Sequence, residues 1–430
     1  MGWQEVEMRA DELRKIIEDG GLDKYVELYA DISAQKSRFI AAIDAFEERY
    51  GEGRELFLFS VPGRSEIIGN HTDHNRGAVM AGAIDRDIIA VASPSDEGVI
   101  RLLSRGYDED RVALQDIPFP DRFENYSSAS LIAGVANAFS EAGYKVGGFD
   151  AYTTSDVLKG SGISSSAAYE VMIGNIINHL YAGGEVDNKR IAMFAQRAEN
   201  MYFGKPCGLM DQMACAVGGF VYIDFADPKV PLVVPVDFSL SASGYALCIV
   251  NTGGNHANLN EDYASIPTEM RAVAACFGKE VLRGITERDV VEKTTELRTM
   301  VGDRSILRAL HFIRENDRVV AARDALLHSD INGFLGIIRA SGESSFKYLQ
   351  NVYTNINVHE QGLSLALALT DGFLGDKGAL RVHGGGFAGT IQVFLPKDML
   401  DSYVALMDSV FGAGATMVLS VRPAGAVRLF

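Results

Sequence analysis

The spacing of apolar and polar residues changes along the chain and predicts its elements. In the first fifty residues apolar positions recur three and four apart, which is typical of amphipathic helices. The stretches DELRKIIEDG and SAQKSRFIAAIDAFEERYG therefore predict two helices, the second stopped by Gly51. From residue 56 to about 160 short apolar runs between turns predict strands at LFLFSV, AVMAGAIDRDIIAVAS and GVIRLLS, with one helix near 129–142.

Strand and helix patterns continue to alternate, without a strict strand–helix–strand rhythm. A strand and a glycine turn precede a helix over about 165–181, and a further helix ends at Gly204. GFVYIDF and YALCIVNTG predict strands, and residues 265–375 are mainly helical in pattern. ALRVHGGGFAGTIQVFL predicts strands around a glycine turn. This order favours an α+β fold with a domain break near 225–245.

Composition narrows the class of protein. The chain has 430 residues, 47% of them hydrophobic and 23% charged, which is typical of a globular protein of about two domains. Its formal net charge of −17 argues against a nucleic-acid partner and requires any phosphate site to build its own positive field. Four scattered cysteines indicate a reducing compartment, and no signal peptide or membrane-spanning run is recognisable. We expect a cytoplasmic protein with no membrane partner.

Polar side chains are dense in GRSEIIGNHTDHN, residues 63–75. This density is compatible with a site for a hydroxyl-rich ligand, a metal site or an ordinary polar loop. His71, Asp73 and His74 are too close together for a helical i, i+4 ligand pair, and no distant motif completes a zinc site. A hydroxyl-rich ligand would account for the density because each of its buried hydroxyls needs a hydrogen-bonding partner, and the polar-loop alternative stays open.

Two glycine-rich segments and one aspartate are further candidates. KGSGISSSAA, residues 159–168, joins a strand to a helix and is either an anion site at a helix start or a simple serine-capped turn. It lacks the Walker A spacing. GGGFAG, residues 384–389, precedes a strand-like run, so it fails as a dinucleotide motif and predicts a packed turn. Asp211, inside an apolar stretch, is either a helix cap or a functional carboxylate.

Taken together, these stretches resemble the galactokinases of the GHMP small-molecule kinase family. VPGRSEIIGNHTDHNRG is similar to their sugar-binding signature, PGRxNxIGEHTDYxxG, and KGSGISSSAAYEV is similar to their phosphate loop. AENMYFGKPCGLMDQ resembles the segment with the catalytic Asp, NHANLNEDY a sugar-site stretch, and VHGGGFAGTIQVFL the C-terminal motif. The motifs occur in the family's order over residues 30–430, which makes the set more specific than any single motif.

The resemblance implies a two-lobed fold: an N-terminal extension at residues 1–30, a lobe like ribosomal protein S5 domain 2 at 31–235, and a ferredoxin-like lobe at 236–430. It implies ATP-dependent phosphorylation of the anomeric hydroxyl of galactose, with Mg²⁺, by a monomer or weak dimer. Its motif positions imply the following roles: catalysis by Asp211 and Arg64; sugar binding by Asn70, His71, Asp73, Gly208 and Tyr263; ATP binding by Gly160, Ser161, Gly162, Ser164 and Ser165; and metal binding by Ser166 and Glu199. The serine-rich helix start and Asp211 are then expected to face each other across one crevice.

Departures from the family signature concentrate in the sugar motif. Asn70 stands where the family has Glu, His74 where it has Tyr, and Glu66 where it has Asn. Leu158 replaces a Pro that is frequent in the phosphate loop. An altered sugar pocket, for example one that accepts galacturonate, is the alternative hypothesis. A non-catalytic sugar and ATP sensor is a third, although Ser164, Asp211 and Arg64 are retained.

Overall fold

The computed structural model describes residues 8–29, 31–157, 162–254 and 259–430. Two β-sheets with helices packed against them form an α+β fold, so the predicted fold class is confirmed. The helices are α1 Ala10–Glu18, α2 Ile32–Tyr50, α3 Ser128–Glu141, α4 Ser165–Tyr181, α5 Asn188–Ala198, α6 Met210–Val217, α7 Asn260–Cys276, α8 Glu287–Glu292, α9 Thr294–Met300, α10 Gly302–Leu327, α11 Ile331–Ser344, α12 Gly362–Leu374 and α13 Leu400–Phe411.

The first sheet has eight strands among the described residues: β1 Phe57–Ile68, β2 Ala78–Ser95, β3 Val99–Ser104, β4 Asp110–Ala113, β5 Gly148–Ser155, β6 Phe220–Asp224, β7 Leu232–Val236 and, from the far end of the chain, β12 Val427–Arg428. Its order is β12-β1-β2-β5-β3-β4, with β6 paired to both β2 and β7, and only the β3–β5 pairing is parallel.

The second sheet consists of β8 Tyr245–Asn251, β9 Ala379–His383, β10 Thr390–Pro396 and β11 Thr416–Leu419, in the antiparallel order β11-β8-β10-β9. The chain passes from one sheet to the other between β7 and β8, beside the predicted break. The lobe limits at residues 30 and 235 stay predictions. No helix within these described stretches is long and apolar enough to cross a membrane.

The predicted N-terminal helices pack on the first sheet. Leu13 and Ile17 of α1 are fully buried and share a hydrophobic cluster with Phe39 of α2 and with Leu429 and Phe430. The beginning and the end of the described chain therefore pack in the same hydrophobic cluster, against the first sheet. Residues 10–18 are part of this core rather than an appendage.

Most predicted elements lie within a few residues of their observed bounds, but β1 is longer than the pattern indicates. The apolar run LFLFSV predicts a strand ending near residue 61, whereas β1 continues to Ile68 and includes Arg64 and Glu66. Irregularities at Pro62/Arg64 and Glu66/Ile68 interrupt its register with β2. Such β-bulges redirect side chains, and both charged residues are buried and form ion pairs. The first part of the polar segment is therefore strand, not loop.

Candidate active site

Arg64 and Asp211 form a bidentate ion pair. Arg64 lies on β1, and Asp211 lies in the first turn of α6. Arg64 Nε is 2.7 Å from Asp211 Oδ1, and Nη2 is 2.8 Å from Oδ2. This fork geometry fixes both planar groups. The sequence predicts these two residues as a catalytic pair, and the structure brings them together.

The start of α4 meets the same carboxylate. Ser164, with a left-handed φ of 59°, precedes the helix, and its side chain caps no backbone amide of α4. Its hydroxyl instead donates to Asp211 Oδ2 at 2.5 Å. Arg64 Nη1 donates to the carbonyl oxygen of Gly162 at 2.7 Å. The start of α4 and Asp211 are therefore in direct contact, and the crevice expected between them stays a prediction.

Asp211 is held as a carboxylate. Burial alone would raise its pKa, but the charge and hydrogen bonds of Arg64, together with the Ser164 hydroxyl, hold the pKa below its ordinary value. The group is therefore ionised at neutral pH. It can accept a proton or a hydrogen bond from a bound hydroxyl.

A cavity of about 140 Å³ opens onto this carboxylate. Its walls include Asp73, Glu199, Lys205, Gly208 and Asp211. A side chain at position 208 would place its Cβ 2.9 Å from Asp73 Oδ2, so glycine is the residue that leaves this wall clear. Two predicted sugar residues, Asp73 and Gly208, thus lie beside Asp211, the predicted catalytic carboxylate.

A chain of polar contacts continues from the cavity into the core. Glu199 begins the π-helical turn Glu199–Phe203 and is 3.0 Å from Lys205 Nζ. Gln212 Nε2 donates to Glu199 at 2.8 Å and to the fully buried Glu170 at 3.1 Å. Burial and the charge of Glu199 raise the pKa of Glu170 well above its ordinary value.

The residues predicted from the sequence do not include Glu170, Lys205 or Gln212. Each lies inside a quoted motif: Glu170 one turn after the serines, Lys205 in the glycine loop after Glu199, and Gln212 next to Asp211. A lysine in an otherwise uncharged loop between two acidic motif positions was the available signal. The partners of Gln212 depend on the folded arrangement, and the sequence gives no indication of them.

The remaining predicted sugar residues lie where the two lobes meet. His71 is half-buried with a left-handed φ of 60°, and burial together with the neighbouring His74 lowers its pKa. His71 Nε2 is 3.0 Å from the carbonyl oxygen of Gly385, and the Tyr263 hydroxyl is 2.8 Å from that of Gly386. Asn70 is 1% exposed, and its side chain contacts protein groups. All three therefore contact the predicted glycine turn or its surroundings.

The predicted phosphate loop is described in part. Gly160 and Ser161 lie outside the described residues, as do the first four residues of NHANLNEDY. Ser165 and Ser166 form the first turn of α4 and are half-buried. Within the described ranges no three His, Cys, Asp or Glu side chains are grouped as a metal site.

The turn at residues 384–389 joins β9 to β10, so a strand follows it. This agrees with the prediction of a packed turn rather than a dinucleotide motif. A cavity of about 660 Å³ lies nearby in the second lobe, lined by residues that include Thr252, Leu259, Thr354 and Phe387. None of the sequence-predicted site residues is among its described lining residues. Cavity size alone therefore does not locate the chemistry.

Comparisons with known proteins agree with this geometry. A family model described as the galactokinase galactose-binding signature matches residues 44–94, and the GHMP kinases N terminal domain matches residues 127–219. These two segments contain the sugar motif, the start of α4, Glu199 and Asp211. A galactokinase from Streptomyces coelicolor is 33% identical over 395 residues, which are 90% of this chain and 97% of the relative.

Solved structures share the fold. The Lactococcus lactis galactokinase complexed with galactose superposes with a TM-score of 0.76 at 22% identity, covering 91% of this chain and all of that one. The Methanococcus jannaschii mevalonate kinase gives a TM-score of 0.59 at 14% identity, covering 85% of this chain and 98% of that one. Motif order, site geometry and the extended sequence match agree, and the chain belongs to the galactokinase family of GHMP kinases.

Proposed function

We propose that this protein is an ATP-dependent sugar 1-kinase that phosphorylates the anomeric hydroxyl of galactose. The observation that carries the proposal is the convergence of Arg64 and the Ser164 hydroxyl on Asp211, which lines a cavity together with Asp73. In the reaction a bond forms between the sugar O1 and the γ-phosphorus of ATP, and the bond from that phosphorus to the β–γ bridging oxygen breaks. The products are galactose 1-phosphate and ADP.

Residues of this chain position the sugar hydroxyl and stabilise the charge of the transferring phosphoryl group. Asp211, ionised beside Arg64, orients the anomeric hydroxyl and takes its proton as the new bond forms. Arg64 keeps that carboxylate charged, and its delocalised cation also stabilises the oxygens of the transferring phosphoryl group. Phosphoryl transfer needs little else from a protein than this alignment and charge stabilisation.

The start of α4 is suited to the phosphates. Because the Ser164 hydroxyl is directed to Asp211, it does not occupy the first amides of the helix. Uncapped amides and the positive end of the helix dipole form an anion site. The chain thereby builds a local positive field on a protein whose formal net charge is −17.

Magnesium binding is the further part of the proposal. The hydroxyl of Ser166 and the carboxylate of Glu199 are hard oxygen ligands of the kind Mg²⁺ takes, and Glu199 lines the cavity next to Asp211. A site with few protein oxygens fits an ion that keeps several waters and binds phosphates. When bound with ATP, Mg²⁺ neutralises charge on the β- and γ-phosphates.

A panel of sugars tests the function. Purified protein is given MgATP with galactose, galacturonate, N-acetylgalactosamine or arabinose, ADP release is recorded, and ³¹P NMR identifies the product. We expect turnover of galactose to an anomeric phosphate and none in Asp211→Ala, which should still bind the sugar. Turnover of galacturonate alone would establish the acid-sugar alternative. Binding of sugar and ATP without turnover would instead establish a sensor.

A further inference from the structure

The carbonyl oxygens of the glycine turn at 384–386 each contact one of the predicted sugar-binding side chains. Asn70 Nδ2 donates to the first carbonyl at 2.7 Å. His71 Nε2 is 3.0 Å from the second, and the Tyr263 hydroxyl donates to the third at 2.8 Å. Three consecutive backbone carbonyls of the second lobe therefore accept hydrogen bonds from, or contact, side chains of the predicted sugar site.

The Asn70 carboxamide is fully engaged by protein groups. Besides the carbonyl of residue 384, its nitrogen donates to Glu66 Oε1 at 3.2 Å. Its oxygen accepts from Asn351 Nδ2 at 2.7 Å. The orientation of the amide is fixed chemically, because the reverse orientation would turn its oxygen toward a carboxylate and a carbonyl. With a side chain 1% exposed, no amide hydrogen is left for a ligand.

Asn351 completes the connection. It lies two residues after the π-helical turn Ser345–Leu349, and its Nδ2 also donates to the carbonyl oxygen of Gly385 at 3.0 Å. Its backbone carbonyl accepts from the amide of Phe387, whose φ is +59°. Asn351 thus contacts both the sugar motif and the strained end of the glycine turn.

Asn70 and Glu66, which contact each other, are both positions at which this chain departs from the family signature. Glu66 stands where the signature has Asn, and Asn70 where it has Glu. The exchange keeps one donor and one acceptor and moves the negative charge onto β1, where Arg381 Nη2 pairs with it at 2.7 Å. Only a donor at position 70 can contact both that carboxylate and the carbonyl of residue 384.

We propose that Asn70 and Asn351 are positioning residues that attach the turn 384–386 to the sugar motif, and that Asn70 is not itself a ligand of the sugar. This inference rests on the proposed sugar kinase function. The attachment sets the position of His71 and of the backbone that leads to Asp73. Recognition of individual sugar hydroxyls is then left to side chains that reach the cavity, such as Asp73.

A double-mutant cycle tests the attachment without any substrate. Asn70→Ala, Asn351→Ala and the double variant are unfolded in urea. We expect the two single effects on the unfolding constant to be non-additive, with the double variant at least about threefold less affected than their product, because each change already breaks the shared contact. Independent effects would show that the two residues do not act together.

Kinetics with deoxy sugars test the division of roles. KM is measured for galactose, 2-deoxygalactose and 6-deoxygalactose. Each single variant should raise all three values by the same factor, about tenfold, with the KM for ATP unchanged within roughly twofold, because the motif as a whole is displaced. A direct ligand gives a different pattern: the effect of Asn70→Ala disappears for the sugar lacking its hydroxyl. That outcome, or an unchanged sugar KM in Asn351→Ala, would overturn the proposal.

Asn70→Asp is the matched variant, with the same shape and no donor. It places a carboxylate against Glu66 and a carbonyl, so the sugar KM should rise at least as far as in Asn70→Ala. Activity better than that of Asn70→Ala would contradict the role. If the wild-type protein turns over none of the sugars, the proposed function fails, whereas the unfolding cycle still reports on the attachment.

Discussion

Asp211 and Asp87 are two aspartates with similar partners and different surroundings. Asp211 accepts two hydrogen bonds from Arg64 and one from Ser164. Its side chain keeps 34% exposure, on the wall of a cavity. Asp87 is fully buried within β2.

The Asp87 carboxylate is surrounded on every side by protein donors. Arg38 Nη1 is 2.5 Å from Oδ1, the Tyr29 hydroxyl is 2.9 Å from Oδ2, and Arg422 Nη1 is 3.5 Å from Oδ2. The Ser60 hydroxyl also donates to Oδ2. Despite complete burial, these partners lower the pKa of Asp87.

The two aspartates differ in whether a ligand can reach the carboxylate. Both carboxylates are ionised by arginine, so a lowered pKa does not by itself distinguish chemistry from architecture. Asp211 has one side free for a ligand, whereas Asp87 joins α2, β1, β2 and the segment after β11. A paired carboxylate indicates a reactive site only when an opening reaches it.

Replacing the open carboxylate should give the largest effect on activity. Asp211→Asn removes the acceptor of the sugar's proton and should lower kcat on the order of a thousandfold. Because water reaches Asp211 and the new amide oxygen can still accept from the buried Arg64, the free energy of unfolding should fall by only about 1 kcal/mol. Steady-state kinetics and urea unfolding measure the two quantities, and an active Asp211→Asn enzyme contradicts the assignment.

The matched change in the closed carboxylate should affect stability instead. Asp87→Asn removes the carboxylate that pairs with the fully buried Arg422 and one of the two that pair with Arg38, and should cost about 3 kcal/mol of unfolding free energy, with kcat per folded molecule near wild type. Since the folded pKa is lowered, the carboxylate stabilises the protein above about pH 4, and this contribution is lost as pH falls. In the variant the unfolding free energy should depend less on pH in that range. A kcat loss equal to that of Asp211→Asn would erase the contrast.

Removing the arginine should change the pH profile of the open site. In Arg64→Gln, burial of Asp211 is no longer opposed by a bidentate cation, so its pKa should rise. The acidic limb of kcat should move to higher pH by at least about one unit. An unchanged acidic limb would mean that Asp211 is not the group that must be ionised.

Single hydroxyls give the smallest effects, in the same two directions. Ser164→Ala removes one donor to Asp211 and should lower kcat roughly tenfold with little change in stability. Tyr29→Phe removes one donor to Asp87 and should cost about 1 kcal/mol of stability with kcat unchanged. A loss of stability in Ser164→Ala together with a loss of kcat in Tyr29→Phe would contradict the roles assigned to the two aspartates.

The sequence predicts elements whose signals are local. Helix α4 has the predicted bounds, since its serine-rich start and apolar core are contiguous in sequence. Arg64 and Asp211 could be paired only through the family motifs, because 147 residues separate them. Asn351 could not be found, since its importance depends on a turn more than thirty residues away and on a side chain in the other lobe. The full length of β1 could not be predicted, because its polar residues are buried only through ion pairs with residues distant in sequence.

Strand β12 has a consequence for biosynthesis. Phe59 and Ser60 on β1 pair with Arg428 and Val427, and Arg422 reaches Asp87 in the same lobe. The outer edge of β1 at residues 58–60 therefore lacks its neighbour until residues 427–430 have left the ribosome. During translation that edge is exposed to pairing with other chains, so substitutions that weaken β12 should increase chaperone dependence and aggregation.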